Sequence, residues 1–331
     1  MPKKKKIVVK VGSSLLANSE NLTLRYAFMS GLISDLAQLQ KDGHDIILTS
    51  SGSVALGLNI IGKRPEDAGL LDKQAAAACG QPLLMNAYRQ IASEHNMDVA
   101  QMLVTAEDME ERRRFLNIKN TMMRLFESDV MPIVNENDSV ATRDLRVGDN
   151  DRLSAKIAQM VEADVLIILT CVEGLFDRDP SHPDAKFIAE VKDVSEHLES
   201  TTGISTLGSG GMLTKMQAAS MAQNAGVETI IADGIIERPI SSVLNNERRF
   251  TRCLVTGETA SPLQIWLGNR LQVAGTIVVS NARAAAIAAG DCGVSRHDVV
   301  LIQGDFTKGD VLHVYDEDGT EIARGLTNFS C

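Results

Sequence analysis

Lys10 interrupts an apolar run, "KIVVKVGSSLL", and is followed at once by Gly12, Ser13 and Ser14. A second lysine, Lys215, closes the glycine-rich stretch "GSGGMLTK" at 208–215, just inside a helical pattern. Both settings suit an anion. Glycine lacks Cβ, so the backbone can turn sharply and bring N–H groups close to a phosphate, and a following helix adds its positive end. Neither stretch is a Walker A motif, because Lys215 lies one turn into its helix and no G-K-[ST] occurs. Taken singly, each has a plainer reading. A glycine-rich turn is more often a connector, and a lysine in an edge strand can snorkel to solvent. The case for chemistry rests on joint supply: two lysines, two glycine turns and a nearby set of acids.

Those acids lie in "VGDNDRLSAKIAQM" at 147–160, where Asp149, Asn150 and Asp151 follow Gly148 as an amphipathic helix begins, and in "NEND", which supplies Asp138. One helix cap needs one side-chain oxygen, so capping does not use up this set. Such residues can hold lysine ammonium groups in position or bind the amino group of a small cationic or zwitterionic substrate. A solvated loop is the plainer alternative. Metal-centred hydrolysis lacks a ligand set. The six histidines (His44, His95, His182, His197, His297 and His313) all stand away from these motifs, so no metal site is expected.

The elements that must position these groups follow from hydrophobic pattern. Ile7–Val11, Asp45–Thr49, Val99–Val104, Val130–Val134, Val165–Thr170 and Thr229–Ala232 read as buried strands. Amphipathic stretches near 23–42, 73–94, 106–127, 151–162 and 211–225 separate them, and Thr105 with Asp108 fits a capping box. Apolar strands alternating with helices predict an α/β fold: a doubly wound, mainly parallel sheet sandwiched by helices. Ligands gather at the carboxyl ends of such strands, where the polar loops after Lys10, Thr49, Val134 and Thr170 would lie. From about 260 the pattern changes to short strands, Gly-containing turns and one alanine-rich helix, "NARAAAIAAG". This predicts a small β-rich domain after a linker near 245–265.

Composition narrows the class of function. The 331 residues exceed one compact core, and aromatics at 4% leave the core to aliphatic side chains. A net charge of −10 disfavours a general nucleic-acid binder but permits a phosphorylated small molecule, which a few local cations can hold. Five scattered cysteines without C-x-x-C spacing predict neither a disulfide framework nor zinc, and point to a reducing, cytoplasmic compartment. The Lys3–Lys6 run is not followed by a long apolar segment, so it reads as a solvated leader, and no membrane span is expected.

In order along the chain, "VVKVGSSLL", "SSGSVALG", "QMLVTAEDMEERRRFLN", "PIVNENDSVAT", "VGDNDRLSAKIA", "TCVEGLFDRDP" and "GSGGMLTKMQAA" resemble the amino acid kinase family over most of residues 7–235. The tail at 263–331 is similar, more loosely, to a PUA domain. The resemblance implies a kinase domain over 1–258 and a PUA-like domain over 263–331. It also implies ATP-dependent phosphorylation of the γ-carboxylate of L-glutamate, opening proline biosynthesis, with ATP as co-substrate and Mg2+ arriving on it. Lys10 and Lys215 would stabilise the migrating phosphoryl group, and Asp151 and Asp149 would organise them. Ser51, Asp138 and Asn150 would bind glutamate. Lys10, Gly12, Ser13, Thr170 and Cys171 would face the nucleotide, together with Ser209, Gly210, Gly211, Met212, Leu213, Thr214 and Lys215. Proline as feedback inhibitor and a homo-oligomer follow from the same resemblance. Cys171 stands where the family usually has Asp, which weakens a contact to base or ribose. The tail ends early, at "GLTNFSC", implying a shortened domain or an incomplete chain.

Two other readings compete: a sister kinase acting on acetylglutamate, aspartate, carbamate or UMP, and an RNA-binding or regulatory protein on the same scaffold. Within 262–331 five basic residues face eight acids, which argues against RNA as the partner of that surface.

Overall fold

The computed structural model describes residues 4–18, 21–140, 149–198, 211–256 and 274–330. The chain divides into two compact units, Met1–Ala260 and Ser261–Cys331.

In the first unit the strands are β1 (Lys6–Val11), β2 (Asp45–Thr49), β3 (Asp98–Val104), β4 (Val130–Glu136), β5 (Val165–Thr170), β6 (Leu175–Phe176), β7 (Phe187–Ile188), β8 (Glu190–Val191), β9 (Glu228–Asp233) and β10 (Phe250–Cys253). The helices are α1 (Ser13–Leu16), α2 (Tyr26–Lys41), α3 (Ser53–Ile60), α4 (Leu70–Glu94), α5 (Ala106–Glu110), α6 (Arg112–Glu127), α7 (Asp149–Val161), α8 (Ser195–Leu198), α9 (Met212–Asn224) and α10 (Pro239–Leu244). Among the described residues, the main sheet has eight strands in the order β3-β4-β2-β1-β5-β9-β10-β8. It is parallel except for the β10–β9 pair. β6 and β7 form a separate antiparallel ribbon.

Alternation along β1 sorts the two faces of the sheet. Ile7, Val9 and Val11 enter one core with α2 and α4, and Val8 enters the other with α7 and α9. Lys10 shares the parity of Val8, so it points to the α7/α9 side. Strand order reverses between β1 and β5, which makes their carboxyl ends the switch point where a doubly wound sheet receives ligands.

Two expectations change, and one alternative reading falls away. Val99–Val104 lies within β3, but as the outermost strand with Gln101 and Leu103 exposed rather than as a buried one. Lys10, on the contrary, is not at an edge. It pairs with Thr49 on one side and Ile168 on the other, and is 6% exposed. The stretch 106–127 is two helices, because Glu111 turns extended and its carboxylate accepts the Arg113 and Arg114 N–H groups to start α6 afresh. The capping box at its beginning forms: Thr105 Oγ1 accepts from Asp108 N, and Asp108 Oδ2 accepts from Thr105 N at 2.8 Å.

The loop after β2 enters α3 through Gly52, whose φ of +100° requires glycine. α3 then lies in backbone contact with α4. A Cβ on Gly57 would stand 1.7 Å from the Ala76 carbonyl oxygen, and one on Gly80 would stand 1.9 Å from that of Ser53. Gly57→Ala is therefore expected to force the helices apart and cost about 1–3 kcal/mol of stability, read as a lowered thermal midpoint.

Among the described residues of the second unit, four strands run β12-β11-β13-β14: β11 (Gly275–Val279), β12 (Val299–Gly304), β13 (Val311–Tyr315) and β14 (Glu321–Leu326). The helix Asn281–Ala288 accompanies them, and Ile277, Val279, Ile287, Phe306, Leu312 and Val314 form a core cluster. Among the described residues no helix is long and apolar enough to cross a membrane.

Candidate active site

β1, α7 and α9 bring Lys10, Asp151 and Lys215 together. α7 places Asp151, Ser154, Ala155 and Ala158 on one buried stripe, and α9 does the same with Lys215, Ala218, Ala219 and Ala222. Both follow the i, i+3, i+4, i+7 spacing of a buried helical face. The small residues let the helices approach closely, so the charged group at the head of each stripe is buried beside the other. Asp151 is 0% exposed.

Lys10 Nζ lies 2.5 Å from Asp151 Oδ1, and Lys215 Nζ 3.2 Å from Asp151 Oδ2. Thr214 Oγ1, which has one proton to give, is 2.8 Å from Asp151 Oδ2 and 2.9 Å from the Gly211 carbonyl. Burial opposes ionisation of Asp151, but the Lys10 and Lys215 charges and the Thr214 bond outweigh it, so the carboxyl titrates below its ordinary value. For Lys215 burial dominates. With the nearby Lys10 charge adding to it, Asp151 compensates only in part, and the ammonium loses its proton more easily than a free lysine. Among the described residues one carboxylate faces both cations, and Lys215 also sits in the first turn of a helix, where a cation opposes the helix dipole. The charge on these described groups is net positive. It is an environment that an incoming anion relieves.

Around this centre, a Cβ built on Gly12 would be 3.6 Å from Lys10 Nζ, so the turn into α1 passes directly beside the ammonium. Ser13 follows as the first residue of α1. Thr170 ends β5, with its carbonyl accepting from Gly234 N at 2.7 Å. Cys171 Sγ lies 3.3 Å from Ser14 Oγ, joining the loops after β1 and β5. Gly211 caps α9, and Met212, Leu213 and Thr214 form its first turn ahead of Lys215. Ser209 and Gly210 lie outside the described residues, as does the side chain of Asp149, although Asp149 begins α7.

Ser51 and Asn150 also meet. Asn150 Nδ2 is 2.7 Å from Ser51 Oγ and 3.1 Å from the Ser50 carbonyl. From "NEND" the residue bonded to Asn150 is Asn135, at 3.1 Å, whereas Asp138 is half-buried in the turn three residues on. Sequence reasoning did not single out Asn135, nor Gln81, Ser50 and Tyr88 behind it. Ser50 Oγ and Tyr88 Oη are 2.9 Å apart, and burial pushes the Tyr88 phenol up despite that bond. A signal was available in α4: Ala77, Gln81, Leu84 and Tyr88 share one buried stripe, on which a glutamine is conspicuous.

The amino acid kinase family profile matches residues 5–233, and the PUA domain profile matches 275–331. Glutamate 5-kinase from Laribacter hongkongensis is 38% identical over 98% of this chain and 88% of its own length. That from Nitrobacter winogradskyi is 40% identical over 99% and 87%. Among solved structures, carbamate kinase from Giardia lamblia bound to AMP-PNP superposes with a TM-score of 0.56 at 19% identity, covering 77% of this chain and 100% of that one. UMP kinase from Ureaplasma parvum gives 0.54 at 13% identity, covering 77% and 97%. These structures share the fold. The aligned relatives and the profile, together with the lysines converging at the switch point, establish that the chain belongs to the amino acid kinase family.

Proposed function

We propose that the chain transfers the γ-phosphoryl group of ATP to the γ-carboxylate of L-glutamate, giving γ-glutamyl phosphate and ADP, the first step of proline biosynthesis. The observation that carries this reading is the convergence of Lys10 and Lys215 on Asp151. The nearly end-to-end similarity to proteins named glutamate 5-kinase supports the choice of substrate.

A γ-carboxylate is already anionic and nucleophilic at neutral pH, so the reaction requires no general base. Its oxygen forms a bond to Pγ while the bond from Pγ to the bridging oxygen breaks, and the electron pair leaves on ADP. The difficulty is the approach of one anion to another. Lys10 and Lys215 offset that repulsion and stabilise charge spread over the transferring group, and Asp151, with Asp149, keeps them oriented. Gly12 and Ser13 approach the phosphates through the first loop, Ser209 to Lys215 surround them from the start of α9, and Thr170 and Cys171 border the base. Ser51, Asp138 and Asn150 hold glutamate. Asp151 spends both oxygens on ammonium groups and is no ligand for Mg2+, so the ion belongs to the phosphate oxygens and water that accompany ATP.

The reading extends to a kinase domain over 1–258, a PUA-like domain over 263–331, a cytoplasmic homo-oligomer and feedback inhibition by proline. These extensions rest on the family. An assay of ADP release offered L-glutamate, acetylglutamate, aspartate, carbamate or UMP in turn is expected to respond to L-glutamate and to be slowed by proline. Release driven by another acceptor, with glutamate inert, would sink the assignment.

A further inference from the structure

Behind Asn150 runs a buried polar relay that ends at Gln81, a residue with no place in the chemistry above. The Glu136 backbone N–H, which can only donate, lies 2.9 Å from Asn135 Oδ1 and so fixes the orientation of the Asn135 amide. Its Nδ2 therefore faces Gln81 Oε1 at 2.9 Å and, at 3.4 Å, Ser53 Oγ. Asn150 meets two groups that here only accept, the Ser50 carbonyl and Asn135 Oδ1, each 3.1 Å from its Nδ2. It has no alternative flip. Its Oδ1 consequently faces away from the relay, buried and without a partner among the described residues. A buried carbonyl oxygen left unpaired is unfavourable, and a ligand that brings an N–H donor removes that cost. The α-ammonium of an amino acid is such a donor.

We propose that Gln81 is a positioning residue for the amino acid substrate: it holds Asn135, which holds Asn150, so that Asn150 Oδ1 receives the substrate's ammonium group. The inference rests on the glutamate reading and specifies how α4, a helix that does not reach the reacting atoms, sets affinity for one substrate only. Gln81 is 8% exposed and Asn135 1%, so water does not replace a lost partner freely.

The test is Gln81→Met, which keeps length and volume and removes the acceptor. It is expected to raise KM for glutamate roughly tenfold, with KM for ATP within about twofold of wild type. Gln81→Glu, which retains an oxygen facing Asn135 Nδ2, is expected to recover most of the glutamate affinity. If Gln81→Met does not fold, Gln81→Asn withdraws the acceptor by one methylene and is expected to show the same split. Equal changes in both KM values, or a Gln81→Glu variant no better than Gln81→Met, would overturn the positioning role, as would an unchanged KM for glutamate. Active wild type with an unaffected Gln81→Met defeats this inference alone. A wild type that ignores glutamate defeats the functional reading and this one with it.

Discussion

Lys10→Ala is expected to lower kcat by about 10² or more while the protein stays folded, because it removes one of two cations at the transfer point. The buried carboxylate keeps a counter-charge, because Lys215 at 3.2 Å and Thr214 at 2.8 Å both remain on Asp151 Oδ2. Lys10→Arg is not expected to restore the rate, since a planar guanidinium does not fit the place of a compact ammonium beside Gly12. A pH profile adds a second signature. The Lys215 ammonium titrates below an ordinary lysine, and a reaction that needs its charge declines as pH rises through that lowered value. Removing Lys10 takes away a like charge and leaves Asp151 to Lys215 alone, so the alkaline limb of the residual activity should move to higher pH. Coupled ADP release, measured across pH beside a melting curve, checks both. Near-normal turnover in Lys10→Ala would mean that the two lysines do not act on the phosphoryl group.

Asp151→Asn is expected to have the largest effect on stability, with a loss of about 3–5 kcal/mol, because two buried ammonium groups would lose the carboxylate they share. For a unit of this size that corresponds to a fall in melting temperature on the order of 10 °C. Two conditions should narrow the gap. The folded carboxyl titrates below its unfolded value, so its contribution is complete above the ordinary carboxylate range. That contribution is lost as pH falls through the lowered folded value, and wild type and Asp151→Asn should approach one another below about pH 4. ATP should also raise the melting temperature of the variant more than that of wild type, since phosphate supplies the missing negative charge. A variant as stable as wild type at neutral pH would show that the triad is not the electrostatic unit described above.

Much of the scaffold was legible because its signals are local. Five of the six expected strand segments in 1–235 need only a short apolar run, and Ile7–Val11, Asp45–Thr49, Val130–Val134, Val165–Thr170 and Thr229–Ala232 fall within observed strands that are paired on both sides in the sheet. The capping box at Thr105 is equally local. β3 was harder to place, because an edge strand in this sheet carries the same Val and Met residues as a buried one, and only pairing on one side distinguishes them. α3 and α10 escaped notice because each is shorter than three turns and gives too little periodicity to stand out.

For the site, residue types and motif order determined which chemistry was available: two lysines beside glycine turns, a carboxylate at a helix start, and no histidine nearby. Tertiary structure decided which of these groups act together. Whether Lys10 meets Asp151 depends on the parity of one strand, on the helix that crosses back over it, and on which neighbours flank that strand. A run of apolar residues does not contain that information, because its pattern reads alike at the centre of a sheet and near its edge. The relay from Gln81 to Asn150 depends on folding still more. Its members lie on α4, β4 and α7, far apart in the chain, and their amide orientations follow from acceptors that only the folded backbone brings within reach.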